Sequence, residues 1–394
     1  MKHALDGTNV LDLSRFIAGP SCAMHLADMG ADVIKVERPG GEDARQNAPF
    51  LNGHSIYAMT FNRNKRAITV NTRSEKGIAL LERLVEWADV VVENYRPGTM
   101  EAMGLGYEDL CRINPRIVLT SISGMGQTGP QRNRAMFDAA AQAASGLAFR
   151  NGREGEPPMF TGAFLADYIA GAYAAFGTML ALFHRERTGR GQVVDISLLD
   201  SLFSVLGIPA ASWLLLGTKM PRTGNRDAYT APAGIFEAAD GYVYLHAGTD
   251  ALFRRLVEGF GRPETADDPA YGTVAARMAN VEATEALVAG WLAQLTTEEA
   301  CAVLDKTGVP YSQVADMEAA TSNEQLRARE MIVEVEHAEA GKVVVPGVVV
   351  KMSETPGEVR EAPPLVGQHT DEVLTKLLGL TPEEVGTLRA EGAI

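Results

Sequence analysis

The feature that most constrains this chain is an alternation running from its start to about residue 125, in which short β-branched and aliphatic runs are each followed by a stretch with helical spacing. TNVLDLS reads as a strand, SCAMHLADMG as a helix ending at Gly30, and ADVIKVER as a second strand. RAITVN, the helical SEKGIALLERLVEWA with Ser74 as its N-cap, and DVVVENY repeat the pattern, and MEAMGLGYEDLCRIN leads into RIVLTSIS. Five strands alternating with helices predict an α/β fold with a doubly wound, Rossmann-like parallel sheet. Such sheets bind ligands in the crevice at the carboxyl ends of their strands.

The residues at those ends therefore carry the most information. The first turn is SRFIAGPS and lacks the G-x-G-x-x-G pattern, so a dinucleotide cofactor is not expected despite the βαβ frame. The second strand ends in ERPGG, where Arg38 is a cation suited to a phosphate. The fourth ends in ENYRPG, which offers an amide, an aromatic face and the guanidinium of Arg96 together. NRNKR, residues 62 to 66, and Arg73 near the end of the third strand add to what reads as a basic rim. The protein as a whole is acidic, with a formal net charge of -14 over 394 residues. Nucleic acid and anionic membranes are excluded as partners on charge, and an anionic ligand must be held by local cations. The rim predicts a phosphate-bearing, adenine-like ligand lying over the sheet.

Further along, GAFLADYIAGAYAAFG sets one carboxylate, Asp167, in a run of small, aliphatic and aromatic residues. The longer FTGAFLADYIAGAYAAFGTMLALF approaches the length of a bilayer span. Its many alanines and glycines, the mid-run acid and the lack of a second such segment favour a buried globular helix, and no membrane association is expected. In a regular helix, residues 163, 164, 170, 171 and 174 share a face with the acid, and four of those five are alanine or glycine. Either another helix approaches closely there or space is left for a ligand.

Six segments in one order carry a resemblance. VLDLSRFIAGPSCAMHLADMGADVIKVERPGG, NRNKRAITVNT, ADVVVENYRPGTMEAMGLGYEDLCRINPRIV, SISGMGQTGP, the ADYIAG around Asp167 and RERTGRGQVVDISLLDS resemble the family III CoA-transferases, the CaiB/BaiF group, over residues 10 to 201. The resemblance implies that Asp167 is the nucleophile of CoA transfer between an acyl-CoA and a carboxylic acid. It places CoA against Ile17 and Ala18, Arg38, Val70 to Arg73, and Asn94, Tyr95 and Arg96, with Arg134 to Phe137 along the route to Asp167 and Asp138 close to the nucleophile. CoA enters as part of the substrate; no permanent cofactor and no metal are implied. Ile17 stands where formyl-CoA transferase has glutamine, and that enzyme's glycine-rich flap has no counterpart here, which points away from formyl or oxalate. A further cationic contact of relatives falls near Ala102, leaving Arg73 or Arg134 to compensate.

The same family includes α-methylacyl-CoA racemases, which pair the aspartate with the histidine of an H-D motif so that two bases face the α-carbon. Here the motif is MFD, with Phe137 in the histidine position, and no histidine lies between His54 and His184. Transferase is favoured over racemase and over a non-catalytic CoA-binding protein. Cys22 reads as a small buried residue, and His25 as a packed histidine with a substrate contact as the alternative.

The expected division is a large domain over 1–204, a smaller α+β domain over 225–330 with a hairpin around Asp240-Gly241, and a segment over 331–394 that returns to the large domain. Loop residues such as Tyr229 and His246 are candidates for selecting a small dicarboxylate. Family resemblance implies a homodimer of interlocked rings. Three separated cysteines form no disulfide framework and fit a reducing cytoplasm, and MKHALDGTNVLDLS lacks the apolar core of a signal peptide.

Overall fold

The computed structural model describes residues 2–394. They group into two units. The first contains the residues up to Ala148, Phe160–Ala210 and Glu324–Ile394; the second contains Phe149–Met159 and Ala211–Asn323. The chain thus departs from the first unit at 149–159, inside the expected 1–204 domain, and everything after 323 belongs to the first unit.

The first unit is built on a parallel sheet of six strands: β1 (Asn9–Asp12), β2 (Asp32–Glu37), β3 (Lys65–Thr69), β4 (Val90–Glu93), β5 (Val118–Ser123) and β6 (Val193–Ser197), in the order β3-β2-β1-β4-β5-β6. The order reverses between β1 and β4, which is the switch point of a doubly wound sheet. Successive strand residues feed opposite layers, as the two-residue period requires. Val10, Val33, Val90 and Val118 pack with the helices α1 (Ala18–Asp28) and α5 (Leu165–Thr188) on one face. Leu11, Ile34, Val91 and Leu119 pack with α2 (Glu75–Trp87) and α3 (Tyr107–Ile113) on the other. The sixth strand was not expected. VVDIS is a half-exposed edge strand with Val193 and Asp195 on its exposed side, and it pairs with β5 from Leu119↔Val193 to Ser123↔Ser197.

Two local expectations are corrected. α1 begins at Ala18, one turn before the expected SCAMHLADMG, because Pro20 is accommodated in its first turn. Ser74 does precede α2, but its side chain makes no capping hydrogen bond.

α1 and α5 pack closely. A Cβ on Gly171 would fall 2.0 Å from Ser21 Oγ and 2.8 Å from the Ala18 carbonyl oxygen. Ala166, Ala170 and Ala174 are buried beside it. The small-residue face of α5 is therefore taken up by α1, not by ligand space. Farther along α5, Thr178 Oγ1 meets Thr120 Oγ1 of β5 at 2.7 Å, and Arg185 pairs with Asp89 at 2.8 Å. By length and composition α5 could cross a bilayer, and its outer face exposes Tyr173, Phe176, Leu180 and Phe183. The helix Gly207–Leu216 buries none of its residues.

The C-terminal segment closes the β3 edge of the sheet. His369 donates its amide to the Ala67 carbonyl at 2.8 Å, Ala67 N–H donates to His369 Nδ1 at 3.0 Å, and Thr69 N–H to Thr370 Oγ1 at 3.1 Å.

The second unit is α+β. Its antiparallel strands are β7 (Ala233–Ala238), β8 (Gly241–His246) and β9 (Tyr311–Gln313). The β7-β8 turn falls at Asp240-Gly241 as expected, and Phe253, Leu256, Val288 and Leu304 pack beneath the sheet. Arg277, fully buried, donates to the carbonyls of Ala231, Tyr271 and Gly248 at 2.7 to 2.8 Å.

Candidate active site

A cleft of about 550 Å³ opens in the first unit over the carboxyl ends of β1, β4 and β5. Each wall follows from a strand end. After β1, Arg15, Phe16, Ile17 and Ala18 enter α1; after β4 come Asn94, Tyr95 and Arg96; after β5 come Ser123 and Gly124, followed by Arg132 to Ala139; and Phe164 with Asp167 comes from the head of α5. Tyr57 and Asn47 complete it.

The first turn is held from below. Phe16 adopts φ 65°, rare for a residue with a side chain, and its N–H donates to Glu42 Oε2 at 3.0 Å. Glu42 is buried and pairs with the buried Lys35 at 3.2 Å. Asn94 brackets Arg15 on both sides: Arg15 N–H donates to Asn94 Oδ1 at 2.8 Å and Asn94 Nδ2 donates to the Arg15 carbonyl at 2.7 Å. The Arg15 guanidinium lies 5.2 Å above the centre of the Tyr95 ring.

Asp167 stands in the first turn of α5, at the positive end of the helix dipole, which favours an anion. Burial opposes this, with the Asp138 carboxylate second, and pushes Asp167 up to about 7. Asp138 opens the helix α4 (Asp138–Ser145) and is itself buried. Its Oδ1 accepts the Ala166 N–H at 2.6 Å and the Asp167 N–H at 3.4 Å, and its Oδ2 accepts from Gln142 Nε2 at 2.7 Å. Aromatic rings line the same cleft: Phe164 and Tyr57 meet at 6.0 Å and Phe137 and Phe16 at 6.0 Å, with Phe137 largely exposed.

Of the residues expected at the site, Ile17, Ala18, Asn94, Tyr95, Arg96, Arg134, Phe137, Asp138 and Asp167 line this cleft, and Arg38, Val70 and Arg73 do not. Val70 has its side chain wholly in the core and its N–H on the Glu37 carbonyl at 2.8 Å. Arg38 is turned onto Asp43 and donates Nε to the Gly41 carbonyl at 2.8 Å. Arg73 is exposed outside the cleft. The side chain of Asn94 is spent on the backbone of Arg15. NRNKR is not a rim at all. Arg63 is buried in a two-point pair with Asp28 at 2.7 and 3.1 Å, Lys65 is buried on Asp12 at 2.8 Å, and Arg66 pairs with Asp32 at 2.6 Å.

Cys22 is buried and its thiol is pushed up to about 12 by burial, which removes it as a nucleophile. His25 lies outside the cleft lining, and burial lowers its pKa. Tyr229 and His246 belong to the second unit.

The sequence reading missed Arg15, Arg132, Tyr57 and Phe164. It also missed Glu93, a buried acid at the end of β4 that burial pushes up to about 7 and that accepts the Tyr95 N–H at 2.7 Å. Arg15 had a signal, being a cation in the first residues beyond a strand; the other four belong to no motif that marks them. Among the described residues, no three His, Cys, Asp or Glu side chains cluster as metal ligands.

A desolvated carboxylate at a helix head, above the switch point of a doubly wound sheet, defines a site for polar group transfer. The comparisons with known proteins make the class specific. The chain belongs to CoA-transferase family III, whose family model matches residues 5–370. It is 37% identical over 393 residues to the succinyl-CoA–D-citramalate CoA-transferase of Chloroflexus aurantiacus, covering 99% of this chain and 98% of that protein. It is 36% identical over 392 residues to the human succinyl-CoA:glutarate CoA-transferase, covering 99% and 90%. A crystal structure of a CaiB/BaiF family protein from Brucella suis superposes with a TM-score of 0.86 at 34% identity, over 96% of this chain and 100% of the other.

Proposed function

We propose that this CoA-transferase moves CoA from an acyl-CoA donor to a small dicarboxylic acid through covalent intermediates on Asp167. The observation that carries the proposal is a single cleft holding a desolvated carboxylate together with Arg96, Arg132 and Arg134, three cations that form no ion pair among the described residues of an acidic protein. Those arginines suit the phosphates of CoA. The acids named for the two relatives above, citramalate and glutarate, are dicarboxylates, which supports the acceptor class.

The chemistry balances without an external proton or electron. An Asp167 oxygen bonds to the thioester carbonyl carbon, the C–S bond breaks, and CoA leaves as thiolate from a mixed anhydride. The thiolate then attacks the aspartyl carbonyl carbon and releases the donor acid as carboxylate. An acceptor carboxylate attacks the aspartyl-CoA thioester, freeing thiolate and forming a second anhydride. Attack of the thiolate on its acyl carbon yields the new thioester and restores Asp167. Burial of the Asp167 carboxylate limits its contact with the water that would hydrolyse the anhydrides. Ile17 and Gly124 line the same cleft, and their amides are the proposed oxyanion donors. Asp138 positions the nucleophile, Phe137 takes the place of a second base, and Ala18, Asn94 and Tyr95 shape the CoA-facing wall.

The exposed aromatic stripe of α5 and the exposed Trp213, Leu214, Leu215 and Leu216 favour a second copy of this chain as the covering partner. Both ends of α5 are anchored in the first unit, which favours a protein partner over lipid. Three free cysteines fit a reducing cytoplasm.

The test is chemical trapping. Hydroxylamine added during turnover with succinyl-CoA and an acceptor acid is expected to convert Asp167 to its hydroxamate, seen as a mass shift in the peptide carrying it. Turnover with no adduct on that peptide, or an Asp167→Asn enzyme with near wild-type kcat, overturns the covalent route.

A further inference from the structure

Arg15, which lines the cleft, shares one carboxylate with Arg38, which does not. Asp43 accepts from Arg38 Nη2 and lies 3.7 Å from Arg15 Nη1. All three side chains are about half exposed, at 43% for Arg15, 57% for Arg38 and 46% for Asp43. The two arginines come from the ends of β1 and β2, adjacent strands of the sheet. Each is held independently of Asp43: Arg15 by the Asn94 bracket and the Tyr95 ring, and Arg38 by the Gly41 carbonyl.

The arrangement differs from the buried ion pairs of this sheet. Arg63–Asp28 and Lys65–Asp12 are buried, with one cation to one acid. Here two guanidiniums converge on a single, half-exposed carboxylate, leaving one positive charge uncompensated beside a cleft. Two forked donors around one oxyanion form the recognition geometry for phosphate; a terminal phosphate carries more charge and one more acceptor oxygen than a carboxylate, and a diphosphate carries two negative charges over its two phosphorus atoms.

We propose that Asp43 is an internal stand-in for a phosphate of CoA. The ligand's phosphate takes both guanidiniums, Asp43 turns out to solvent, and Arg15 becomes a phosphate ligand additional to Arg38. No covalent bond changes in this exchange. The proposal rests on the CoA-transferase reading above and adds to it a competitor built into the protein. Asp43 occupies the two arginines before binding and opposes the ligand that replaces it, and because each arginine has its own support, removing the Asp43 charge strengthens CoA binding.

The experiment is calorimetric titration of CoA into the wild-type protein and into Asp43→Asn, Arg15→Ala and Glu86→Gln, the last removing an exposed acid on the outer side of α2 as a control for overall charge. Asp43→Asn is expected to bind about three- to tenfold more tightly and Arg15→Ala about tenfold or more weakly, with Glu86→Gln within about twofold of wild type. Equal or weaker binding by Asp43→Asn overturns the proposal. So does unchanged affinity in Arg15→Ala, or a gain in Glu86→Gln as large as that in Asp43→Asn. Titration of 3′-dephospho-CoA assigns the group: a gain lost with this ligand places the 3′-phosphate at the pair, and a gain retained places the diphosphate there, the proposal standing in both. A wild-type protein that takes up no CoA overturns the transferase reading itself, and this inference with it.

Discussion

The carboxylate of Asp138 accepts the backbone N–H of Asp167 at 3.4 Å and that of Ala166 at 2.6 Å, so one buried acid caps the helix that presents another. The contact has two opposed effects. It fixes the start of α5, and it places a negative charge near a carboxylate that must itself ionise to attack.

The pair gives a two-variant prediction. With Asp167 pushed up to about 7, kcat/KM of the wild type is expected to rise with pH through that region as the nucleophile ionises. Asp138→Asn keeps an acceptor oxygen for the cap and removes the charge, so the acid limb should move to lower pH. Asp138→Ala also removes the cap, and should lower stability by about 1 kcal/mol as well as kcat. Identical pH profiles in wild type and Asp138→Asn would show that the two carboxylates do not interact.

Asp167 also couples pH to stability. Its pKa in the fold lies above the unfolded value of 3.8. The protonated side chain is therefore accommodated fully below about pH 4, and that favourable contribution is lost as pH rises through about 7. Asp167→Asn should accordingly be more stable than wild type at pH 8, by on the order of 2 kcal/mol after discounting for partial exposure, and should lose the advantage at pH 4. Denaturant unfolding at the two pH values is the measurement. A variant destabilised at pH 8 would contradict the assignment.

Arg96 and Arg73 separate cleft from surface. Arg96→Ala removes a charge-assisted contact worth about 1.5–3 kcal/mol and should raise KM for acyl-CoA at least tenfold with a smaller change in kcat. Arg73→Ala should leave KM within twofold. Steady-state kinetics with succinyl-CoA distinguish them, and equal effects would place Arg73 at the ligand after all.

Phe137 bears on the reaction class. Incubated in heavy water with a 2-methylacyl-CoA and no acceptor acid, the enzyme should leave the α-hydrogen in place, because no second base faces it. Rapid deuterium uptake, read by mass spectrometry, would reopen the racemase alternative.

The alternation of strands and helices was legible because each strand of a doubly wound sheet is apolar on both faces and each helix on one; Val90, Val91 and Val92 announce a buried strand without reference to anything else in the chain. VVDIS did not, since an edge strand with Asp195 in it reads like a loop. Charge was the harder signal. Arg63 and Lys65 look like a solvated basic run, and what buries them is Asp28 and Asp12, which are 35 and 53 residues away. Arg15 showed in the sequence only as a cation just beyond a strand, and its placement depends on Asn94, 79 residues on. Asp167 was legible as an anomaly, a carboxylate in an apolar helix; its neighbour Asp138 was named through the family resemblance, while its hydrogen bonds to the start of α5 show only in the fold.

The contact of Gly171 with Ser21 and the Ala18 carbonyl has a kinetic meaning. It joins the helix that begins at the first cleft turn to the helix that carries the attacking oxygen, leaving no room for even one methyl group between them. The two walls that must face each other during reaction are thereby fixed when the chain folds. Orientation that two reactants in solution would have to find by collision, equivalent to effective molarities of about 10⁵ M or more in well-aligned intramolecular reactions, is built in at a position that itself touches no substrate. A larger side chain at residue 171 would shift the nucleophile relative to the turn, and so act on the rate through geometry while leaving every reacting group in place.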